Sequence, residues 1–234
     1  MITIQNNPQF NKKIIIFLSP HYDDMIYSSS LTIRRLIKQH CRIVNVNFFT
    51  KSRWMASSIH EEMNVVSRIR FAEEQRAAKH IGFATISLNL KDSSARGLNA
   101  IQERKQKCDT AMLDSCYKKF CMCMKNFKYD YIWIPLAVGN HIDHKYVRKI
   151  GEKFSLTKKR IYYEDLPYIN KPEHTLKYVP KNYKVLYSYG KFLDKYRDIC
   201  FYPSQFEKKN IDIIYRFGSK LIGKGYLERM WKKY

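Results

Sequence analysis

The sequence predicts a single α/β domain, a three-layer fold with a mostly parallel central sheet and helices on both faces. Short apolar runs rich in Ile, Val, Tyr and Phe alternate with longer amphipathic stretches, which is the pattern of parallel strands joined by helices. These runs lie at 13–18, 42–49, 85–90, 129–134, 160–164 and 183–189. A chain of 234 residues suffices for one large domain of this class, so we assign residues 1–234 to one unit.

Two of the stretches between these runs have a helical pattern. Apolar residues recur at helical spacing from 64 to 81, and Gly82 favours a helix end there. The stretch 108–127 is also helical, with a Lys-rich outer face. By contrast, 167–182 contains three of the seven prolines and predicts an irregular loop. Long irregular loops of compact domains are commonly functional, so we expect this loop to line the active site.

The composition is strongly basic, with 43 Lys plus Arg against 21 Asp plus Glu and a net charge of +22. Such a field attracts anions, which suggests nucleic acid, an anionic membrane face or a phosphorylated substrate. A coding bias toward Lys explains the charge equally well. No apolar run approaches the ~20 residues that span a bilayer. We therefore expect a cytoplasmic protein that can associate peripherally with the inner membrane face.

Two short segments that combine histidine with aspartate each follow a predicted strand. Residues 19–24 read Ser-Pro-His-Tyr-Asp-Asp, and residues 141–144 read His-Ile-Asp-His. Because ligands of open α/β sheets bind beyond the carboxyl ends of the strands, we expect both segments at one edge. A single His or Asp there would more often be a turn or cap residue. Two such clusters instead indicate a metal site, and imidazole with carboxylate suits catalytic zinc.

The paired aspartates allow a division of labour within such a site. His21 and Asp24 are three residues apart and can face one point where the chain enters a helix. Asp23, the neighbour of a ligating Asp24, can accept a proton from the attacking water. His141 can face the same pocket and stabilise the developing oxyanion or protonate the leaving nitrogen. Asp143 would orient one of the imidazoles by accepting its second N–H.

These motifs resemble those of the PIG-L/LmbE family of zinc-dependent de-N-acetylases, written His-Pro-Asp-Asp and His-x-Asp-His. Within that family the chain is most similar to the branch with Ser-Pro-His-x-Asp-Asp. The resemblance extends over nearly the whole chain, to Arg70, Glu73, Ala77, Ile81, Gly82, Asp92, Arg96, Gly97, 135–144, 164–168, Ser204, Gln205 and 225–229.

The resemblance implies a Rossmann-like fold, one Zn²⁺ per chain and a defined set of site residues. The implied metal ligands are His21, Asp24 and His144. The implied catalytic residues are Asp23 as general base, His141 as acid or transition-state stabiliser, and Asp143 as its helper. The implied substrate-binding residues are Arg70, Asp92 and Arg96. Other divalent metals also suit these donors.

Some of these assignments have simpler alternatives, and some positions depart from the family pattern. Arg70 could equally be a helix-surface arginine paired with a neighbouring glutamate, and the pair at 164–165 is assigned a structural role. Tyr22 replaces the common proline, and Met25 stands where many relatives have glutamate. Neither change affects an implied ligand or the base, so we expect the site to be active.

The function implied by the resemblance is hydrolysis of the N-acetyl group of an amino sugar in glycan or glycoconjugate biosynthesis. The substrate could be a free glycoside, a nucleotide sugar or a lipid-linked sugar, and the basic charge favours one that carries phosphate. One alternative is an amidase of another small amide conjugate. A second is a non-catalytic protein that binds nucleic acid or anionic lipid, which the clustered histidines and aspartates disfavour.

Overall fold

A central eight-stranded sheet organises the described part of the chain, residues 2–4, 7–56, 62–169, 171–222 and 225–233 of a computed structural model. The strands are β1 (Ile2–Thr3), β2 (Ile14–Ser19), β3 (Arg42–Asn47), β4 (Ala84–Ser87), β5 (Tyr131–Pro135), β6 (Arg160–Tyr163), β7 (Tyr183–Gly190) and β8 (Tyr226–Lys233). The helices are α1 (Asp24–Lys38), α2 (Met63–Ile81), α3 (Ala100–Lys105), α4 (Thr110–Met124), α5 (Ile142–Phe154), α6 (Phe192–Ile199) and α7 (Lys208–Ser219).

The strand order is β1-β7-β8-β6-β5-β2-β3-β4. Among the described strands, β8 alone runs antiparallel to its neighbours, and the other pairings are parallel. The predicted three-layer α/β fold with a mostly parallel sheet is therefore confirmed. The order reverses at β2, since β3 and β4 extend the sheet to one side while β5 and β6 extend it to the other. Such a reversal opens a crevice at the carboxyl ends of β2 and β5.

All six predicted apolar runs overlap strands, and the strands at the centre of the sheet are buried on both faces. The central strand β2 is fully buried from Ile15 to Ser19, and Trp133 of β5 packs on Phe17 with ring centroids 4.7 Å apart. Parallel strands covered on both faces read as continuous apolar runs. The predicted helices at 64–81 and 108–127 correspond to α2 and α4.

Strand β8 was not predicted, because it carries charged residues in buried positions. Its Glu228 forms an ion pair of 2.6 Å with Lys195 of α6, and both side chains are almost fully buried. Its Arg229 pairs with the buried Glu164 at 2.5 Å. Buried charges are tolerated when they are paired and hydrogen-bonded, so the apolar pattern of a strand is absent here.

Glu228 also stabilises a break in α1. The helix leaves helical geometry at Ser29, where φ is −141° and ψ is 22°. Just beyond this break, the backbone N–H groups of Leu31 and Thr32 donate to the Glu228 carboxylate at 3.2 and 2.9 Å. The carboxylate thus satisfies donors that a helix start leaves without partners.

The segment 167–182, predicted as an irregular loop, contains a short 3-10 helix at Pro172–Tyr178 before β7 begins. Residue 170 lies outside the described residues. Among the described helices, none is both long and apolar enough to cross a bilayer.

Gly151 allows α5 to pack closely on the sheet. A Cβ atom at this position would lie 2.4 Å from Cγ2 of Ile134 and 3.1 Å from Cδ1 of Leu18. We expect Gly151→Ala to lower the free energy of unfolding by about 1–3 kcal/mol, because overpacking a filled core forces the helix away. Urea unfolding followed by circular dichroism measures this change. The exposed Lys149→Ala on the same helix is the control, and an unchanged or higher midpoint for Gly151→Ala would contradict the packing.

Candidate active site

The two histidine and aspartate segments meet at the carboxyl ends of β2 and β5. His21 lies in the turn after β2, and Asp24 is the first residue of α1. The Asp24 carboxylate accepts a hydrogen bond of 2.8 Å from the backbone N–H of His21, which fixes the turn. After β5, His141 is the N-cap of α5 and His144 lies in its first turn. The crevice predicted for this sheet order therefore holds both segments.

Three side-chain atoms converge in this crevice. Nδ1 of His21 lies 3.1 Å from Oδ2 of Asp24, and Nε2 of His144 lies 3.4 Å from the same oxygen. All three side chains are buried, His144 completely. Imidazole nitrogens and a carboxylate oxygen at this separation are the donor set of a catalytic zinc site. The structure therefore brings together the three residues predicted as ligands.

The other nitrogen of each of these histidines has a carboxylate partner. His21 donates from Nε2 to Oδ2 of Asp143 at 3.0 Å. His144 donates from Nδ1 to Oδ1 of the buried Asp165 at 2.6 Å. Metal-ligating histidines commonly donate their second N–H to a carboxylate, which fixes the tautomer and the ring. These bonds leave Nδ1 of His21 and Nε2 of His144 to face the centre.

Nε2 of His144 is the observation that best fits a metal. It is buried and has no hydrogen-bond partner among the described residues. A buried polar atom without a partner is costly, so its position calls for a ligand. His21, His141 and Asp143 form a second group of ligand-type side chains. Nδ1 of His141 already accepts a hydrogen bond and its Nε2 lies 3.1 Å from a carboxylate oxygen of Glu103, so the first group suits a cation better.

The electrostatics of the centre favour positive charge. Burial lowers the pKa of His21, but hydrogen bonds to Asp143 and Asp24 outweigh burial and raise the pKa to about 10. Burial raises the pKa of Asp24, while His144 and His21 lower it to about 2. The pKa of Asp143 is likewise lowered, because His21, His141 and Arg96 outweigh its burial. The ionised carboxylates that attract protons here would also attract a divalent cation.

Asp23 is placed differently from Asp24. Its side chain is 16% exposed, against 4% for Asp24, so it is the more open of the pair. Its Oδ1 accepts a hydrogen bond of 3.0 Å from Nη2 of Arg70. Burial raises the pKa of Asp23 and Arg70 opposes this, with a net rise. A carboxylate with a raised pKa beside the centre is suited to accept a proton.

His141 completes the group of three histidines. Its ring centroid lies 5.2 Å from that of His21 and 5.1 Å from that of His144. Its Nε2 lies 3.1 Å from Oε2 of Glu103, whereas Asp143 contacts it only through a backbone N–H. The ring of Tyr168 packs edge-on against His144 at 4.6 Å, so part of the 167–182 segment borders the site.

The residues predicted to bind substrate are largely engaged within the protein. Arg70 is buried and donates to Asp23 and, at 3.0 Å, to Ser52. Arg96 donates to Oδ1 of Asp143 at 2.6 Å. Asp92 is buried and accepts from the backbone N–H of Ala95 at 2.8 Å. Their contacts hold the carboxylates of Asp23 and Asp143 and the 92–96 turn, and their substrate-binding role stays a prediction.

Sequence reasoning missed two partners of the histidines. Asp165 was assigned a structural role, although it comes two residues after β6, at the same edge as the two motifs. This position after a predicted strand could have identified Asp165 as a site residue. No sequence pattern indicated that Glu103 belongs to the site, because α3 is only six residues long and shows no apolar periodicity.

Comparison with known families and proteins gives one family match and one curated relative. Residues 16–155 match the family described as PIG-L, GlcNAc-PI de-N-acetylase, and this span contains both motifs. A 2'-N-acetylparomamine deacetylase of Streptomyces fradiae is 28% identical over 163 residues, which cover 65% of this chain and 57% of that protein. The matched region is thus little more than half of the relative's length.

Solved structures resemble the whole described fold. A deacetylase of the teicoplanin biosynthesis pathway superposes with a TM-score of 0.71 and 15% identity, covering 93% of this chain and 96% of that chain. An N,N'-diacetylchitobiose deacetylase of Pyrococcus horikoshii superposes with a TM-score of 0.61 and 18% identity, covering 97% and 85%. The zinc-inhibited form of a teicoplanin deacetylase superposes with a TM-score of 0.70 and 15% identity, covering 93% of this chain and 97% of that chain. These likenesses support the α/β fold.

We expect Asp165→Asn to weaken binding of a divalent metal by about 10–100-fold, because His144 loses the carboxylate that orients its ring. Titration of the metal-free protein with Zn²⁺, followed by calorimetry, measures the affinity. Asp114→Asn, at a half-exposed carboxylate of α4, is the matched control. Equal affinities for Asp165→Asn and the unchanged protein would contradict this role.

Proposed function

Because this chain belongs to the PIG-L family of GlcNAc-PI de-N-acetylases, we propose that it is a zinc-dependent enzyme that removes the N-acetyl group of an amino sugar. Membership confirms the family predicted from the motifs, and it supports a hydrolytic enzyme of the deacetylase type. The observation that carries the metal dependence is the convergence of Nδ1 of His21, Oδ2 of Asp24 and Nε2 of His144, which accepts or donates no hydrogen bond within the described part of the chain.

The proposed metal is one Zn²⁺ per chain, held by His21, Asp24 and His144. When bound, the cation supplies Lewis acidity that polarises the amide carbonyl and makes water more acidic. Asp143 and Asp165 keep the two imidazoles in the tautomers that present a lone pair to it.

In the proposed reaction Asp23 acts as the general base. It takes a proton from water as the water oxygen forms a bond to the acyl carbon. The Nε2–H of His141 donates a hydrogen bond to the acyl oxygen while negative charge develops on that oxygen. The C–N bond then breaks, the proton held by Asp23 passes to the leaving nitrogen, and the products are a free amine and acetic acid, which loses its proton to become acetate. Asp143 keeps His21 in place, and Arg70 holds Asp23.

The proposed substrate is an N-acetylated amino sugar linked to a further group. Support comes from the relatives, whose names specify deacetylases of paromamine and chitobiose derivatives. The +22 charge supports an anionic feature, either phosphate on the substrate or an anionic membrane face on which a cytoplasmic enzyme meets a lipid-linked sugar. A panel of N-acetylated glycosides, nucleotide sugars and lipid-linked sugars, assayed for amine release, tests the proposal.

Substitutions at the centre should separate metal binding from catalysis. We expect His21→Ala and Asp24→Ala to lose the metal, because each removes a donor. Asp23→Ala should keep the metal and lower kcat by about 10²–10⁴-fold, since the general base is lost. Metal content by mass spectrometry and amine release measure the two properties. Normal metal content with no amine release from any member of the panel would contradict the deacetylase function.

Arg70 should determine the pH at which kcat/KM falls on the acid side of its pH profile. Its positive charge lowers the pKa of Asp23, so Arg70→Ala should raise that pKa further. Asp23 acts as a base only when ionised, so the acid limb of kcat/KM should move to higher pH. Arg70→Lys should move it less, and Arg76→Ala on the exposed face of α2 should leave it in place. An acid limb unchanged in Arg70→Ala would contradict the role of Asp23.

A further inference from the structure

Both ring nitrogens of His141 have a polar partner in the structure. His141 is the N-cap of α5, and its Nδ1 accepts a hydrogen bond of 3.2 Å from the backbone N–H of Asp143. A neutral imidazole that accepts at Nδ1 carries its proton on Nε2. Nε2 lies 3.1 Å from Oε2 of Glu103.

Ser93 holds the carboxylate of Glu103 in this position. Its Oε2 also accepts a hydrogen bond of 2.5 Å from Oγ of Ser93. The backbone N–H of Ser93 donates to Oδ2 of Asp143 at 2.9 Å. Burial raises the pKa of Glu103, but its contact with His141 and the hydrogen bond from Ser93 lower it overall. Glu103 is therefore an ionised carboxylate and a strong acceptor.

The two contacts of His141 differ in how readily they can be exchanged. The bond at Nδ1 is part of the first turn of α5, which also carries His144, so breaking it would disturb the metal centre. Glu103 lies on α3, whose six residues are all exposed or half-exposed. The helix is also held at its C-terminal end, where Nζ of Lys145 donates to the backbone oxygens of Arg104 and Gln106. The side chain of Glu103 is thus the exchangeable partner.

We propose that Glu103 is a positioning residue that holds the Nε2–H of His141 in the free enzyme and yields it to the acyl oxygen of the substrate. This inference rests on the deacetylase function proposed above. Before substrate arrives, the carboxylate fixes the tautomer and the ring plane of His141. On binding, the acyl oxygen replaces Oε2 of Glu103 as the acceptor. The exchange costs the free enzyme a charge-assisted hydrogen bond, and this cost appears in KM.

The test is the split between KM and kcat in Glu103→Gln. A neutral amide oxygen accepts the same hydrogen bond more weakly than a carboxylate. The measurement uses the zinc-loaded enzyme and an N-acetyl sugar of the panel that it hydrolyses. In Glu103→Gln, KM should fall by about 3–10-fold, and kcat should change by less than about 3-fold. Glu173→Gln, at an exposed glutamate, is the matched control.

An unchanged or higher KM in Glu103→Gln, or a large loss of kcat, would overturn the inference. A second measurement does not depend on turnover. In the zinc-loaded protein without substrate, the ¹⁵N and ¹H signals of the His141 ring should show a proton on Nε2, and they should shift in Glu103→Gln but not in Glu173→Gln. Identical His141 signals in all three proteins would also overturn it. If the enzyme releases no amine from the panel, the proposed function fails and the ring signals alone decide the role of Glu103.

Discussion

The burial of three imidazole rings at one sheet edge is the constraint on which the site depends. A buried ring nitrogen without a partner is costly, so each histidine must find acceptors or donors within the protein. Asp143, Asp165 and Glu103 supply them, and the backbone of α5 supplies one more. The two remaining ring nitrogens, Nδ1 of His21 and Nε2 of His144, both face Oδ2 of Asp24. The hydrogen bonds around the centre therefore determine which atoms are available to a metal.

The fold and the central residues were predictable, because they depend on patterns that are local in sequence. Strands buried on both faces appear as apolar runs, and the carboxyl ends of parallel strands share one edge. His21 and His144, more than a hundred residues apart, could therefore be placed together from the strands that precede them. Asp24 follows from the turn into α1, where its carboxylate accepts the N–H of His21.

The partners of the histidines were harder to predict, because they are fixed by contacts between distant segments. Asp143 was expected to help His141, yet its side chain contacts His21 and Arg96. Glu103 contacts His141 instead, from a helix that is too short to show a period. Strand β8 was not predicted for a related reason, since its buried charged residues pair with residues that are distant in the sequence. A sequence pattern shows which residues can be buried, but pairing depends on the assembled fold.

The position of β8 has a consequence for the order of folding. This strand follows β7 in the chain but lies between β6 and β7, and it pairs with both in antiparallel orientation. β7 can therefore not add to the growing sheet beside β6 and must dock together with β8 or after it. The carboxylate that caps the second half of α1 arrives with this strand. Assembly of the parallel strands and completion of that helix are thus coupled through contacts of high sequence separation, which form slowly.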